Sequence, residues 1–423
     1  YTKHSLGIIS PLDYVHVRLL RMTLRSIFYW PAEQFGEKTW KYAQYGGVYT
    51  IVLHALVFSS NFAYLVAHRS KLNFYDTGHM YLTMFLAFLA MTRSMVLPLN
   101  SKYKNIIVAY FTSMHLFYHA NKSEYAKSVH IRIHKVCHIL CLYLFVQMMM
   151  GLTLFNVTPM YLNYSKGKLK YRHLENSTYE FSVYLYYPTD VGYDNYVLPL
   201  TYRYVSYMCS NVICMTDVML FLMVFHIYGH FKILLNLLAS FPKPAPTELQ
   251  DDQSNIVIVD NQMYSEAECV EVYEKLKECI KYHKYLIEFT NTMSSAFGPM
   301  LLMYFVFSQV SCCLLLLECS QMNAEALIRY GPLTWIVFQE LIQISVIFEI
   351  IGIMSEKLNG AIYAMPWEYM DLRNRKLVLF FLMNTQNPIH VKAMGILDVG
   401  LVTMATILKT SVSYFTFLRT VPQ

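Results

Sequence analysis

Long uncharged stretches, separated by shorter charged ones, run through the whole chain. Seven of them are long enough to cross the apolar core of a bilayer, which takes about 20 residues in a helix. They cover residues 46–67, 78–99, 134–156, 204–238, 298–318, 331–354 and 392–419. The pattern therefore predicts an all-α polytopic membrane protein with seven transmembrane helices.

The composition agrees with this class of protein. Hydrophobic residues make up 55% of the chain and charged residues only 15%, whereas soluble domains carry about 25% charged residues. The chain contains no GxSxG, HExxH or P-loop sequence, and its nine cysteines include no CxxC pair. The sequence thus predicts neither an enzyme nor a bound metal or cofactor, and no basic, aromatic-interleaved patch indicates nucleic-acid binding.

Lysine and arginine are unevenly distributed between the segments that flank the spans. Four alternating segments hold 21 of these residues and the other four hold 8. The rich segments are 1–45, 101–132, 241–297 and 355–392. Because positive residues stay on the cytoplasmic side, we expect a cytoplasmic N-terminus and an extracellular C-terminus.

The sequons for N-glycosylation fit this orientation. Asn156, Asn163 and Asn176 each begin an Asn-x-Ser/Thr triplet in or beside the loop 157–202, which is extracellular in this arrangement. We expect glycans at Asn163 and Asn176. Asn121 begins a fourth such triplet, which falls in the cytoplasmic segment 101–132.

The orientation divides the chain into six parts. They are a cytoplasmic N-terminal segment, spans one to four, a cytoplasmic linker with a helix, spans five and six, a cytoplasmic anchor segment and the last span. Their bounds are 1–45, 46–240, 241–297, 298–354, 355–391 and 392–421.

The third part begins with a stretch that is typical of a flexible linker, because residues 242–262 are Pro-rich and then acidic. Ser265 and Glu268 then form a capping box, which predicts the start of a helix. The helix carries one apolar stripe on a charged background and is expected to run into span five. The stripe needs a partner, either in the chain or on a neighbouring subunit. Its members are Cys269, Tyr273, Leu276, Ile280, His283 and Ile287.

Charged residues inside the spans are costly and need an explanation. Arg93 lies near the inner end of span two, where its side chain is expected to reach the headgroups. Asp217, Glu340 and Glu349 lie deeper, and we expect hydrogen bonds or ion pairs inside the bundle, with a gating role as the alternative. Lys409 in the last span is expected to face another helix.

Fifteen histidines invite the question of a metal site. His115 and His119 are separated by four positions and are joined by apolar residues, but no carboxylate stands at a useful spacing. A metal site demands more ligands than this pair supplies. We therefore expect hydrogen bonding at these two histidines.

The last span carries one stripe of mostly hydroxyl residues, whose spacing of three and four places them on one side of a helix. Such a stripe can line a water-filled path, or it can form a close interhelical seam, because Ser and Thr let helices approach. Both interpretations fit the spacing. The members are Thr403, Thr406, Thr410, Ser413, Phe417 and Thr420.

Aromatic and methionine residues gather toward the outer halves of spans two, three, four and six. They can line an apolar pocket for a small volatile molecule, although core packing and interfacial belts explain such residues equally well. The candidates are Tyr81, Met84, Phe85, Phe145, Met148, Met149, Leu152, Tyr204, Met208, Val212, Trp335 and Phe338.

The last 60 residues or so resemble the C-terminal signature of insect odorant receptors. The resemblance runs from AIYAMPW through RNRKLVLFFLMNTQNP to ILKTSVSYFTFL. The matching positions are Ala361, Ile362, Tyr363, Trp367, Arg375, Lys376, Gln386, Pro388, Lys409, Thr410, Ser411, Ser413, Tyr414, Phe415 and Leu418.

The resemblance implies an odorant-gated, non-selective cation channel in the plasma membrane of olfactory sensory neurons. This chain looks like a ligand-tuning subunit that joins the odorant receptor co-receptor (Orco) in a heterotetramer. A small volatile odorant, expected to be aromatic, would bind in the outer pocket and open a pore lined by the last helix, residues 392–421. Family positions place the pore and gate at Thr410, Ser413, Tyr414, Phe417, Thr420 and Val421.

The resemblance also implies a final span split into a cytoplasmic anchor half and an outer pore-lining half, with Pro388 as the break. Two positions depart from the family pattern. Phe417 stands where smaller aliphatic residues are frequent at the gate, and Asn387 stands where a lysine is usual.

Three other classes compete with this identification. A gustatory receptor of the same superfamily would end in a TY…QF pattern, whereas Arg419 and Thr420 stand near the expected Gln and Phe. A secondary transporter would show inverted repeats, which the sequence lacks. A metabotropic receptor would have the opposite orientation.

Overall fold

The computed structural model describes residues 8–70, 72, 74–165, 181, 183–186, 197–244, 247–250, 256–259, 263–320 and 324–420. Ten α-helices account for about three quarters of this part of the chain. They are α1 (Val15–Ser26), α2 (Gly46–His68), α3 (Phe74–Val96), α4 (Ser101–Ala109), α5 (Glu124–Ser165), α6 (Val197–Ala239), α7 (Glu266–Cys319), α8 (Ala324–Tyr363), α9 (Leu372–Thr385) and α10 (Leu401–Thr420).

The central helices are longer than a bilayer is thick. Helices α5, α6, α7 and α8 contain 42, 43, 54 and 40 residues, so they extend well beyond a span of about 20 residues. Five described helices are long and apolar enough to cross a membrane, or six if the bent pair Thr77–Val96 and Ser101–Lys122 counts as one. The predicted all-α membrane architecture is confirmed.

The last predicted span differs from the expectation. Residues 392–419 do not form one helix, because their first part is a short β-hairpin of strands Lys392–Ala393 and Leu397–Asp398. Met394 and Gly395 both have positive φ, 52° and 73°, which is the combination that a tight type I′ turn requires. Helix α10 begins only at Leu401, and α9 ends at Thr385 before Pro388, so the two halves of the final segment are separate helices.

The hairpin rests on helix α7 at a glycine. A β-carbon at Gly298 would lie 2.8 Å from the backbone nitrogen of Met394 and 3.2 Å from the carbonyl oxygen of Lys392. These distances are shorter than normal van der Waals contact, so only glycine lets the hairpin backbone pass this closely. The Ser294 hydroxyl accepts a hydrogen bond from the Lys392 amide at 3.1 Å and fixes the same contact.

The N-terminal part of α7 begins as the sequence predicts. Ser265 and Glu268 form the capping box, and the helix runs without interruption into span five. Its apolar stripe finds a partner within the chain, because the Asn374 side chain of α9 donates to the carbonyl of Cys269 at 2.9 Å. Tyr273 likewise lies under the Arg373 guanidinium, 3.9 Å from ring centroid to Cζ.

The segment 242–262 was expected to be a flexible linker, and this expectation is wrong in part. Residues Thr247–Gln250 pair antiparallel with Ile256–Val259. The backbone hydrogen bonds of a two-stranded ladder impose order on these eight residues.

Histidines pack around Tyr14, where helix α1 meets α5. The Tyr14 hydroxyl lies 3.0 Å from Nε2 of His130, and the ring of His134 lies 4.2 Å from that of Tyr14 and 5.2 Å from that of His16. Burial, with His134 and His138 nearby, lowers the pKa of His16 from 6.5 to about 3. His16 is therefore neutral at physiological pH and packs as an aromatic ring.

The pair His115 and His119 makes hydrogen bonds. Nδ1 of His115 accepts from the Phe117 amide at 3.1 Å, and Nε2 of His119 lies 3.2 Å from the Ser113 carbonyl. Both rings thus stabilise the turn that follows α4, as the sequence predicts.

Arg93 does not reach the headgroups, so that expectation is wrong. Its side chain is fully buried, and Nη1 lies 3.0 Å from the Asp217 carboxylate of α6. The same nitrogen donates to the Ile213 carbonyl at 2.6 Å and to the Thr216 hydroxyl at 2.9 Å. The bundle therefore supplies the counter-charge that the headgroups were expected to supply, and the predicted internal ion pair of Asp217 is confirmed.

Two further helices meet at this ion pair. The Glu340 carboxyl of α8 lies close enough to interact electrostatically with both Arg93 and Asp217. The buried Tyr304 ring of α7 lies 6.0 Å from Cζ of Arg93. Helices α3, α6, α7 and α8 are thus joined at one polar cluster, which we call the Arg93 cluster (Arg93, Asp217, Tyr304 and Glu340).

We expect Arg93→Met to lower the free energy of unfolding by about 3–5 kcal/mol, because it leaves the buried carboxylate of Asp217 unpaired. The double variant Arg93→Met/Asp217→Leu should be more stable than the single one, because the carboxylate that Arg93 neutralises is removed together with it. The apparent Tm of the purified protein in detergent measures both effects. Arg69→Met, at an exposed arginine, is the matched control and should leave Tm unchanged. A double variant that melts below Arg93→Met would contradict the ion-pair interpretation.

Candidate functional site

Helix α10 is attached to the bundle at its first turn by a carboxylate. Oε2 of Glu349 in α8 accepts a hydrogen bond from the backbone amide of Leu401 at 2.9 Å. The first amides of a helix have no partner within the helix, and a negative charge there also interacts favourably with the helix dipole. The approach is close, because a β-carbon at Gly400 would lie 2.3 Å from the same carboxylate oxygen.

A second attachment lies near the middle of α10, at an amide side chain of α7. The Thr410 hydroxyl donates to Oε1 of Gln309 at 2.5 Å, and Nε2 of Gln309 donates to the Ser411 hydroxyl at 3.0 Å. Ser411 is fully buried in this contact. Gln309 therefore uses both ends of its amide on neighbouring residues of α10.

The remaining surface of α10 is uncovered in the single chain. Thr406 and Ser413 are exposed, and the side chain of Phe417 is 63% exposed. Thr403 is buried and donates to the Asp398 carbonyl at 2.6 Å. The predicted stripe is therefore buried at its N-terminal end and exposed toward its C-terminal end. Thr410 is half-buried between them.

The other predicted pore residues follow the same division. Tyr414 is 59% exposed. Thr420 ends the described helix, and Val421 lies outside the described residues. Lys409 is exposed as well, and its expected contact with another helix stays a prediction.

The twelve candidate pocket residues occupy different environments. Met148, Met208 and Val212 are buried, and Met84, Phe85, Phe145, Leu152 and Phe338 are half-buried. Tyr81, Met149, Tyr204 and Trp335 are exposed. The hydroxyl of Tyr204 lies 2.8 Å from that of Tyr49 in α2, so this side chain is engaged with α2. The set therefore stays a prediction as a whole.

Two of the candidates line one cavity. A groove of about 340 Å³ runs along α8 and contains Trp335 and Phe338, but none of the other ten candidates. Its remaining lining residues are Gln339, Ile342, Gln343, Val346 and Ile347. All seven lining residues belong to α8, and the surface that they present to the groove is apolar.

The glycosylation sites stay predictions. Asn163 lies near the end of α5 with a buried side chain, and Asn176 lies outside the described residues.

Sequence reasoning missed one of the two residues that hold α10 and the partner of the other. The sequence analysis did not identify Gln309. The signal that could have done so is its position as an amide side chain within the apolar stretch 298–318. Glu349 was identified as an intramembrane acid that needs a partner. Its partner is a backbone amide, which no pattern of side chains along the sequence reveals.

The chain matches the family model described as 7tm Odorant receptor over residues 76–412. Odorant receptor 67a of Drosophila melanogaster is 26% identical over 216 residues, which cover 49% of this chain and 47% of that protein. Odorant receptor Or2 of Anopheles gambiae is 26% identical over 156 residues, which cover 36% of this chain and 40% of that protein. The chain thus spans about half, or less, of the length of the curated relatives that it matches.

Solved structures share the fold. The insect olfactory receptor OR5 from Machilis hrabei in complex with eugenol has a TM-score of 0.75 at 13% identity, over 96% of both chains. A second structure of OR5 from Machilis hrabei has a TM-score of 0.73 at 15% identity, over 97% of this chain and 100% of that one. At such low identity the likeness is one of fold.

We expect Gly400→Ala to loosen the first turn of α10, because the added methyl group displaces the Glu349 carboxylate from the Leu401 amide. Loss of a helix cap costs about 0.5–2 kcal/mol, so amide hydrogen exchange in residues 401–404 should become faster. Mass spectrometry of the exchanged protein in detergent measures this rate. Gly331→Ala is the matched control, because a β-carbon there meets no atom within 4 Å. Equal exchange rates in the two variants would contradict the capping role of Glu349.

Proposed function

Because the chain belongs to the odorant receptor family, we propose that it is the ligand-binding subunit of an odorant-gated, non-selective cation channel. It forms a heterotetramer with the odorant receptor co-receptor in the plasma membrane of olfactory sensory neurons. A small volatile molecule binds among the outer parts of the transmembrane helices and opens a pore that α10 lines.

The observation that carries this proposal is the one-sided attachment of α10. Buried Thr403, Ile407 and Ser411 face the bundle, while Thr406, Ser413 and Phe417 remain exposed. A bilayer does not reward exposed hydroxyls, whereas a water-filled path between symmetry-related helices does. The exposed Phe417 ring supplies the apolar constriction that can dewet and close such a path.

The two attachments of α10 link the pore to the rest of the subunit. Helix α8 carries Phe338 in the groove and Glu349 at the start of α10, eleven residues further along, which is about 16 Å in a helix. A ligand that shifts α8 therefore moves the carboxylate that holds α10. Such a ligand opens the channel only if it binds the open arrangement more tightly than the closed one.

The alternatives from the sequence have less support. A secondary transporter or a gustatory receptor does not account for the match to the odorant receptor family over residues 76–412. The orientation of the termini is part of the proposal, and epitope tags at the two ends test it independently of any current.

Co-expression with the co-receptor in oocytes tests the channel, with currents recorded during application of a panel of volatile odorants. Phe417→Ala should raise the basal current several-fold, because the constriction loses its apolar ring. Val412→Ala is the matched control. Val412 is also an exposed apolar residue of α10 (52%), but it lies on a different side of the helix from the hydroxyl stripe.

A Phe417→Ala channel with wild-type basal current and ion selectivity would remove Phe417 from the gate. An absence of odorant-evoked current in wild-type complexes that reach the cell surface would contradict the ligand-gated channel as a whole.

A further inference from the structure

Helix α10 carries a single cation in the middle of an otherwise uncharged stretch. Lys409 is the only charged residue between Leu401 and Leu418, and its side chain is exposed in the single chain. Ser411, which is buried against Gln309, follows two residues later and so lies about 200° around the helix. Lys409 therefore stands on the side of α10 that is turned away from the bundle.

The side of α10 that carries Lys409 differs from the hydroxyl stripe. Val402, Ala405 and Thr416 are also exposed, and their spacing places them in line with Lys409 along the helix. We call these four residues the Lys409 surface. It adjoins the stripe that is proposed to face the water-filled path, but it points in another direction.

The ammonium group of Lys409 cannot reach the water at either end of the helix. Helix α10 contains 20 residues, which span about 30 Å, and this matches the apolar core of a bilayer. Lys409 lies about 12 Å from the first residue and about 16 Å from the last, and a lysine side chain is shorter than either distance. A charge at this depth needs a partner.

The chain itself supplies no carboxylate to Lys409. Among the described residues, no acidic side chain forms an ion pair with its ammonium group. The seven predicted spans contain five acidic residues, and each of them is engaged elsewhere. They are Asp217, Glu318, Glu340, Glu349 and Asp398.

Three of these acids hold the bundle together. Asp217 and Glu340 belong to the Arg93 cluster, and Glu349 accepts the hydrogen bond from the Leu401 amide at the start of α10. Glu349 therefore lies two helical turns away from Lys409.

The other two acids are also engaged away from Lys409. Glu318 is buried, and its carboxylate occupies the space that a side chain at Gly78 of α3 would need. Asp398 lies 4.0 Å from the Lys392 ammonium group in the hairpin that precedes α10. Rotation about an axis normal to the membrane keeps every residue at its own level, so a second copy of this chain brings neither Glu349 nor Asp398 to the level of Lys409.

We propose that the Lys409 surface contacts a neighbouring subunit of a different kind, which presents a carboxylate to the Lys409 ammonium group. This inference rests on the proposed function, since that subunit is the partner in the heterotetramer. Small side chains such as Ala405 and Thr416 let a neighbouring helix approach closely. An ion pair out of reach of water then selects a partner of complementary charge, whereas four copies of this chain would bring four ammonium groups to one level.

Co-purification tests the surface without any current. The chain is tagged and co-expressed with the co-receptor, and the ratio of co-receptor to tagged chain is measured after purification in detergent. Lys409→Glu should lower this ratio about tenfold or more, because two carboxylates then face each other. Lys409→Arg keeps the charge and should retain most of the wild-type ratio.

Two controls separate assembly from folding. Lys409 is exposed in the single chain, so the apparent Tm of the chain purified alone should be the same in wild type and Lys409→Glu. Arg69→Glu makes the same change of charge at an exposed arginine near the end of α2 and should leave the ratio unchanged.

Charge exchange identifies the acid of the partner. In combination with Lys409→Glu, each acidic residue in the membrane-spanning helices of the partner is changed in turn to lysine. One of these exchanges should restore the ratio to within about twofold of wild type, since the two changes are coupled. A failure of every exchange overturns the carboxylate partner.

The outcomes separate this inference from the proposed function. Equal ratios in wild type and Lys409→Glu overturn the inference, even if odorants evoke wild-type currents; a larger cation current in Lys409→Glu then places the ammonium group in the pore water. Self-association of the chain expressed alone that Lys409→Glu abolishes also overturns it, because the occupant is then a second copy. A ratio that depends on Lys409, in complexes without odorant-evoked current, supports the Lys409 surface and overturns the channel.

Discussion

A charge inside an apolar bundle has to find its partner inside the same bundle, and the pairing of Arg93 with Asp217 satisfies this constraint. Removing either charge would leave the other in a medium that cannot solvate it. The pair therefore fixes how α3 and α6 face each other, and Glu340 and Tyr304 extend the constraint to α8 and α7. The other contacts of the transmembrane region are arranged around this fixed point.

Helix α7 connects the Arg93 cluster to the helix proposed to line the pore. Tyr304 faces the cluster, Gln309 holds the middle of α10, and Gly298 receives the hairpin that precedes α10. These three contacts lie within eleven residues of one continuous helix, or about 16 Å. Because all three contacts lie on this one helix, α10 is positioned relative to the same helix that packs against the buried ion pair.

Much of this fold could be predicted from the sequence, because apolar length and helical spacing are local properties. The spans, the capping box at Ser265 and the hydroxyl stripe all depend on residues that are close in the chain. Arg93 could not be predicted in the same way, since a charge near a span end can turn toward headgroups or toward the bundle. The tertiary structure places Asp217 opposite Arg93 and so determines that the arginine turns toward the bundle.

The final segment shows the same limit in another form. Residues 392–400 extend an apolar run, so a count of hydrophobic residues includes them in a helix. Met394 and Gly395 instead form a turn with positive φ. The turn packs against Gly298, and Glu349 caps α10. Both contacts join residues that are far apart in the sequence, so a local pattern cannot predict them.

The absent side chain at Gly298 has a mechanical consequence. The hairpin lies directly on the backbone of α7, and α10 follows the hairpin after two residues, so the seat of the hairpin sets the height at which α10 starts. A single methyl group at position 298 would push the hairpin away from α7 and would shift α10 with it. The position of Phe417 relative to α7 therefore depends on the absence of a side chain at residue 298, which is remote from Phe417 in the sequence.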